Sequence, residues 1–143
     1  MGKKTVLVMV VMASALLLAS GVALAAARNG TAGPDTLNGT VGADTIRGYG
    51  GNDVLRGGPG NDVIYGGSGN DTIYGGGGND KIYGGGGIDR VYGGDGVDTI
   101  STRWDGQTDY VSCGPGVDAW VDAMPGIDDP VDDYEADCER VAY

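Results

Sequence analysis

The chain has 143 residues, of which 30 are glycine, and its 20 acidic side chains outnumber 9 basic ones, giving a formal net charge of −11. A surface this acidic repels nucleic acids and anionic lipids and attracts cations. Because the chain contains no histidine, it lacks the Ser-His-Asp, Cys-His and HExxH constellations of hydrolases, and its glycine runs contain no G-x-x-x-x-G-K-[ST] phosphate loop.

The amino-terminal segment has the three parts of a secretory signal peptide. Lys3 and Lys4 precede an apolar stretch, which ends in the small-residue sequence Ala23-Leu24-Ala25. We predict cleavage after Ala25, with Ala27 as the second choice. An uncleaved anchor is the alternative, since the stretch is long enough to span a bilayer, but small or polar residues interrupt it. The sequence therefore predicts a signal peptide at residues 1–25, a secreted extracellular product without membrane association after cleavage, and a short lead-in at residues 26–29.

Residues 30–101 consist of eight consecutive units of nine residues, without an insertion. In every unit position one is Gly, position four is Gly and position six is Asp. Position eight is always aliphatic, as Leu37, Ile46, Leu55, Ile64, Ile73, Ile82, Val91 and Ile100. Composition alone resembles that of a disordered acidic polymer, but a fixed internal period of this length is typical of a solenoid.

Each unit divides into a turn and a short strand. The first six residues are rich in Gly, Asn and Asp, which favour turns, and the last three alternate polar-apolar-polar, as in Thr72-Ile73-Tyr74. Stacking such half-coils pairs each strand with the strand eighteen residues away and buries position eight between two sheets. We therefore predict an all-β fold, a right-handed parallel β-roll (a β-solenoid of nonapeptide repeats), over residues 30–101.

This stacking brings acidic side chains together. Position-six aspartates of alternate units would lie ~4.8 Å apart along one edge of the roll, and two such carboxylates repel by about 3 kcal/mol at an effective dielectric constant of ~20. One aliphatic side chain per nine residues is too little to offset both this repulsion and the conformational entropy that the glycines lose on folding. A hard divalent cation between adjacent turns would reverse the sign of the repulsion. Ligands that are all oxygen favour calcium over zinc or copper, and flexible, carbonyl-rich loops suit the variable coordination of calcium better than the strict octahedron of magnesium.

The pattern GGxGxDxUx, with U aliphatic, resembles the calcium-binding repeat of the RTX (repeats-in-toxin, hemolysin-type) family. The resemblance implies one Ca²⁺ between turns n and n+2, hence up to about six ions. The implied side-chain ligands are Asp35, Asp44, Asp53, Asp62, Asp71, Asp80, Asp89 and Asp98. Backbone carbonyls would come from the turns around Gly48, Gly57, Gly66, Gly75 and Gly84. The end units depart from the pattern, with Thr31 and Thr40 at position two and with Pro34, Ala43, Ile88 and Val97 at position five.

Residues 102–143 are expected to cap the open end of the roll. Two degenerate units, 104–112 and 113–121, keep Asp at position six after a two-residue insertion. Cys113 and Cys138 are the only cysteines, and an exported chain with two cysteines most simply forms one disulfide. Trp104 or Trp120 would cover the core. This ending also resembles the tails of small exported RTX-like proteins of bacteria.

Two further features have a functional and a structural interpretation. The acidic tail, residues 122–139, would be an extra cation site or a solvated loop, and the absence of EF-hand spacing favours the loop. The outward tyrosines at position nine, Tyr65, Tyr74, Tyr83 and Tyr92, would be a stacking surface for sugars or cross-strand pairs that stabilise the sheets, and we favour the pairs.

Together these features predict a secreted, non-enzymatic protein whose partner is calcium and whose roll folds on binding it. The alternative is a calcium-dependent extracellular adhesion or matrix-interaction module that binds a polysaccharide or protein. Neither function involves nucleic acid.

Overall fold

The structure, a computed structural model, describes residues 24–102, 105–120, 133–134 and 138–140. Regular structure in these ranges consists of β-strands, and no helix long and apolar enough to cross a membrane occurs among them. The strands are β1 (Ala27–Asn29), β2 (Thr36–Asn38), β3 (Thr45–Gly50), β4 (Val54–Pro59), β5 (Val63–Ser68), β6 (Thr72–Gly77), β7 (Lys81–Gly86), β8 (Arg90–Asp95), β9 (Thr99–Ser101), β10 (Tyr110–Ser112), β11 (Ala119–Trp120), β12 (Asp133–Tyr134) and β13 (Glu139–Arg140).

The strands form two parallel sheets that the chain visits alternately. One sheet has the order β1-β3-β5-β7-β9-β11-β13 and the other the order β12-β10-β8-β6-β4-β2. Within the repeats each residue pairs with the residue eighteen positions away, as in Ile64↔Ile82. One coil of the solenoid is therefore two nonapeptide units, and the predicted parallel β-roll is confirmed.

The strands are longer than the repeat pattern predicted. From β3 to β8 each strand has six residues, covering positions seven to nine of one unit and one to three of the next. Position two makes this extension possible by adopting positive φ, for example 118° at Gly67 and 119° at Gly76; in β3 the residue at this position is Tyr49, with φ 76°. The backbone thus turns the edge of the roll while it stays paired with the next coil, as in Gly67↔Gly85.

A single column of aliphatic side chains fills the space between the sheets. Seven of the eight predicted position-eight residues, from Ile46 to Ile100, are fully buried, and Leu37 at the amino-terminal end is half-buried. Val111 of the first degenerate unit and Cys113 extend this core. The predicted inward position of these residues is confirmed.

The degenerate units continue the roll. Beyond the repeats the pairing distance grows from eighteen to twenty residues, as in Val91↔Val111 and Ile100↔Trp120, which confirms the two-residue insertion. Cys113 is joined to Cys138. Most of the predicted signal peptide, Trp104 and most of the acidic tail lie outside the described residues.

Candidate metal centre

The position-six aspartates line the two edges of the roll as two columns. The odd column contains Asp35, Asp53, Asp71, Asp89 and Asp109, and the even column contains Asp44, Asp62, Asp80, Asp98 and Asp118. All are buried except Asp35, which is half-buried. The eight aspartates that the repeat pattern singled out thus lie together in the two predicted columns.

One carboxylate oxygen of each aspartate holds neighbouring coils together. Oδ1 of Asp71 accepts a hydrogen bond from the backbone N–H of Asp53 at 2.8 Å, and Oδ1 of Asp89 accepts one from Asp71 at 2.9 Å. The same bond recurs in the even column, for example from Asp62 N–H to Asp80 Oδ1 at 2.8 Å. From Asp44 to Asp98, each aspartate therefore both donates to the next coil and accepts from the previous one.

The second carboxylate oxygen, Oδ2, is buried and accepts no hydrogen bond from the described part of the chain in Asp53, Asp62, Asp71, Asp80, Asp89, Asp98 and Asp118. An unsatisfied buried carboxylate oxygen is costly, and its recurrence in every central coil fits a site for a positively charged ligand.

A backbone carbonyl lies beside this oxygen. A Cβ added to Gly66 would collide with Oδ2 of Asp71, 2.6 Å away, and with the carbonyl oxygen of Gly84. The same pair of oxygens faces Gly75, namely Oδ2 of Asp80 and the carbonyl of Gly93. At Gly66 and Gly75, position one is therefore glycine because a side chain would enter the space between the two oxygens.

Burial disfavours the ionised form of these carboxylates. It raises the pKa of Asp71 to about 7, and the neighbouring Asp89 and Asp53 carboxylates add to the effect, while the hydrogen bond from Asp53 opposes it. Burial likewise raises the pKa of Asp80 and of Asp89 to about 6. The pKa of Asp62 and that of Asp98 are also raised, mainly by burial. A bound cation would remove this penalty.

The first two repeats are built differently. Oδ2 of Asp35 accepts hydrogen bonds from the backbone N–H of Thr31, at 2.6 Å, and from its hydroxyl, at 2.9 Å. Thr40 donates to Oδ2 of Asp44 in the same way. At these two turns, threonine at position two provides hydrogen bonds where the later turns leave the carboxylate open.

The electrostatics of Asp44 reflect this difference. Burial opposes its ionisation, but hydrogen bonds from the backbone of Thr40 and Ala26 and from the Thr40 hydroxyl, together with the positive charge of Arg28, outweigh burial, so its pKa lies below the usual range. Asp44 is thus stable as an anion without a cation, unlike Asp71 or Asp80.

Two members of the columns were absent from the predicted ligand set. Asp109 and Asp118 lie one coil beyond Asp89 and Asp98, and their Oδ1 atoms accept the N–H groups of those residues at 2.8 Å. The signal that identifies them is position six of each degenerate unit, once the two-residue insertion is allowed for.

Position five carries a second set of side chains that joins the coils. Oδ1 of Asn52 accepts from the N–H of Asn70 at 2.9 Å, and Oδ1 of Asn70 accepts from the N–H of Ile88 at 2.9 Å. Each of these asparagine side chains accepts from the next coil, whereas each aspartate side chain accepts from the previous coil. Ile88 cannot continue the series because its side chain has no acceptor.

Metal coordination here would depend on backbone oxygens as well as carboxylates. Among the described residues, no three Asp, Glu, Cys or His side chains come close enough together to hold a metal ion. A ligand set of two carboxylates supplemented by carbonyl oxygens suits calcium, which accepts six to eight oxygen ligands in flexible geometry.

The outward tyrosines stack on one another. The rings of Tyr65 and Tyr83 lie 4.9 Å apart and nearly parallel, and Tyr74 and Tyr92 do the same on the other sheet. Arg47 covers the open face of Tyr65. The ring faces therefore contact side chains of neighbouring coils, which supports cross-strand pairing as the role of these tyrosines.

Comparison with known proteins gives one result. The family model of the RTX calcium-binding nonapeptide repeat matches in four copies, at residues 29–64, 47–82, 56–91 and 77–104. No curated protein and no solved structure matches the chain. The four copies together span more than half of the sequence, and they contain eight of the ten aspartates that form the two columns, Asp109 and Asp118 being the exceptions. The chain belongs to the RTX calcium-binding nonapeptide repeat family.

Proposed function

We propose that this protein is a secreted calcium-binding β-roll whose folding is coupled to the ion, and that Ca²⁺ is held between position-six aspartates of neighbouring coils. The observation that carries the proposal is the open, buried Oδ2 atom of the central aspartates, which lies beside a position-one carbonyl in Asp53, Asp62, Asp71, Asp80 and Asp98. When bound, calcium supplies the positive charge that these oxygens lack.

Apart from bound calcium, the roll has few interactions that stabilise it. Every nine-residue unit after the first contributes one fully buried aliphatic side chain, such as Ile73, worth about 1.5–3 kcal/mol. Ordering nine glycine-rich residues costs more than this in conformational entropy, and the buried carboxylates add repulsion. Binding of an ion only to the ordered coils shifts the folding equilibrium by mass action.

The ligand assignment follows the columns. We assign up to six ions to the eight aspartates of the clean repeats, three in each column. The four central pairs are Asp53 with Asp71, Asp71 with Asp89, Asp62 with Asp80 and Asp80 with Asp98. The pairs that begin with Asp35 and Asp44 should bind more weakly, because threonine already donates to those carboxylates.

Export follows from the predicted signal peptide and the disulfide, because structural disulfides form and persist in oxidising compartments. Cleavage after Ala25 would leave the α-amino group of Ala26 as the partner of Asp44 Oδ1, at the present distance of 2.6 Å. Cleavage after Ala27 would remove this donor and the first residue of β1. We therefore propose residues 26–143 as the mature chain, with a lead-in at 26–29, the roll at 30–101 and a cap at 102–143.

The matched family describes a calcium-binding module, and we propose no enzymatic activity.

Isothermal titration calorimetry of the exported protein tests this function. We expect calcium to bind at four to six sites in the submillimolar to millimolar range typical of extracellular modules. Magnesium should bind far more weakly, because it demands stricter octahedral geometry and dehydrates reluctantly. Equal heats and midpoints for the two ions would show charge screening and would overturn the proposal.

A further inference from the structure

The coil beyond the clean repeats contains a turn that keeps the G-G-x-G-x-D pattern of the repeats except at position one. Residues 113–118, Cys-Gly-Pro-Gly-Val-Asp, keep glycine at positions two and four and aspartate at position six. Cysteine stands at position one, where all eight clean repeats have glycine. This turn lies outside the family match, which ends at residue 104.

The Cys113 carbonyl occupies the place that position-one glycine carbonyls occupy elsewhere. A Cβ added to Gly93 would meet the carbonyl oxygen of Cys113 at 2.5 Å and Oδ2 of Asp98 at 2.6 Å. One coil earlier, the corresponding atoms around Gly75 are the carbonyl of Gly93 and Oδ2 of Asp80, the latter at 2.5 Å. The oxygen pair of the central sites is thus repeated at the boundary with the degenerate coil.

The second carboxylate is also in place. Asp118 is only 1% exposed, and its Oδ1 accepts the N–H of Asp98 at 2.8 Å. Its Oδ2 is buried and accepts no hydrogen bond from any described residue. Asp98 and Asp118 are therefore related to each other as Asp80 and Asp98 are.

We propose that Asp98, Asp118 and the carbonyl oxygen of Cys113 form an additional calcium site outside the clean repeats, and that the Cys113–Cys138 disulfide positions this carbonyl. The proposal rests on the proposed function. Cys113 is fully buried, and its sulfur is joined to Cys138 with their Cα atoms 5.3 Å apart. The disulfide therefore fixes the residue that contributes a ligand atom to the last site.

The coupling has a physical basis in linkage. Groups that orient metal ligands contribute to affinity although they do not touch the ion, and their removal costs about 10- to 100-fold. By reciprocity, an ion bound at this site stabilises the coil in which the disulfide lies. The cap and the calcium site would thus act as one unit at the carboxyl-terminal end of the roll.

The first test compares Asp118→Asn with Asp95→Asn in the oxidised protein. Asp95 is an exposed residue at position three of the turn that contains Asp98, and its charge is one of those that raise the pKa of Asp98. Its substitution therefore removes the same charge from this turn without removing a proposed ligand. At saturating calcium, equilibrium dialysis should show one ion fewer for Asp118→Asn and no loss for Asp95→Asn. An unchanged ion number for Asp118→Asn, or an equal loss in both variants, would overturn the additional site. Wild-type protein that binds no calcium at all would overturn the proposed function as well.

The second test concerns the disulfide. Bound calcium is measured at a series of free-calcium concentrations for the wild type and for Asp118→Asn. Subtracting the second binding curve from the first gives the binding curve of the last site alone. In a Cys113→Ser/Cys138→Ser background we expect this difference to move to about 10- to 100-fold higher free calcium, while the remaining ions keep their affinity. An unmoved difference curve would overturn the positioning role. Loss of every ion in this background would likewise overturn it, because the disulfide would then stabilise the whole roll and not one site.

Discussion

The backbone N–H of Asp53 donates to Oδ1 of Asp71, eighteen residues later, at 2.8 Å, while Oδ2 of Asp71 accepts no hydrogen bond from the described chain. One carboxylate thus has two roles: it joins successive coils with one oxygen and offers the other to a cation. Removing the carboxylate should therefore affect both the stacking of coils and the number of ions.

We first expect Asp71→Ala to lose about two ions and Asp35→Ala at most one, because each ion is shared by two carboxylates of one column. Asp71 lies between Asp53 and Asp89, whereas Asp35 begins its column and already accepts hydrogen bonds from Thr31. In a stack in which each coil depends on its neighbours, only Asp71→Ala should interrupt the middle. Calorimetric stoichiometry measures the difference. Equal losses in the two variants would mean that the aspartates do not bridge alternate repeats.

Glycine at position one should be intolerant of even a methyl group. A Cβ at Gly66 would enter the space between Asp71 Oδ2 and the carbonyl of Gly84, whereas a Cβ at Gly77 would have no atom within 4 Å. Gly66→Ala should therefore raise the calcium midpoint for folding severalfold, and Gly77→Ala should leave it nearly unchanged. Circular dichroism at increasing calcium separates the two. Similar midpoints would show that position one is glycine for backbone flexibility alone.

The inside and outside of the sheets should differ sharply in their tolerance of charge. Ile73 is fully buried, and its neighbour Thr72 faces outward and is half-buried. Ile73→Asp should destabilise the roll by several kcal/mol because it buries an unpaired carboxylate, and Thr72→Asp should have a mild effect. Urea unfolding at saturating calcium provides the comparison. Equal destabilisation would contradict the assignment of position eight to the core.

The calcium-free protein should be more ordered in mild acid than at neutral pH. Burial raises the pKa of Asp71 to about 7 and that of Asp80 and Asp89 to about 6, above the usual value of 3.8. Since the folded form has the higher pKa, protonation stabilises the roll at low pH, and this stability is lost as the pH rises from about 4 to about 7.

Far-ultraviolet circular dichroism in calcium-depleted buffer should therefore show β-structure increasing as the pH falls from 7.5 to 5. The calcium midpoint should rise over the same interval, because protons compete with the ion. In Asp71→Asn, which cannot ionise at this position, the acid-induced gain should be smaller. A calcium-free roll that loses order on acidification would contradict the inferred direction of these pKa shifts.

The repeat period was sufficient to predict the fold and most of the site. Gly, Asp and an aliphatic residue at fixed positions imply stacked coils, an aspartate column at each edge and Ile73 or Ile82 in the core, since each position has only one place in a regular solenoid. The period also accounts for Asp109 and Asp118, once Thr102 and Arg103 are treated as an insertion.

The remaining features depend on local geometry that a period does not specify. Whether Oδ2 is open or bonded depends on the backbone at position two, where Thr31 turns its N–H toward Asp35 and Gly67 adopts positive φ instead. The place of the Cys113 carbonyl beside Asp98 depends on how the chain resumes its path after the insertion. Both depend on atomic positions and not on residue type alone.

The most direct measurement is a calcium titration of the exported protein, first depleted with a chelator and followed by far-ultraviolet circular dichroism. We predict a spectrum typical of a largely disordered chain without calcium and a cooperative gain of β-structure at submillimolar to millimolar calcium. Magnesium should induce this gain poorly. A spectrum that stays unchanged across the titration would contradict the coupling of folding to the ion.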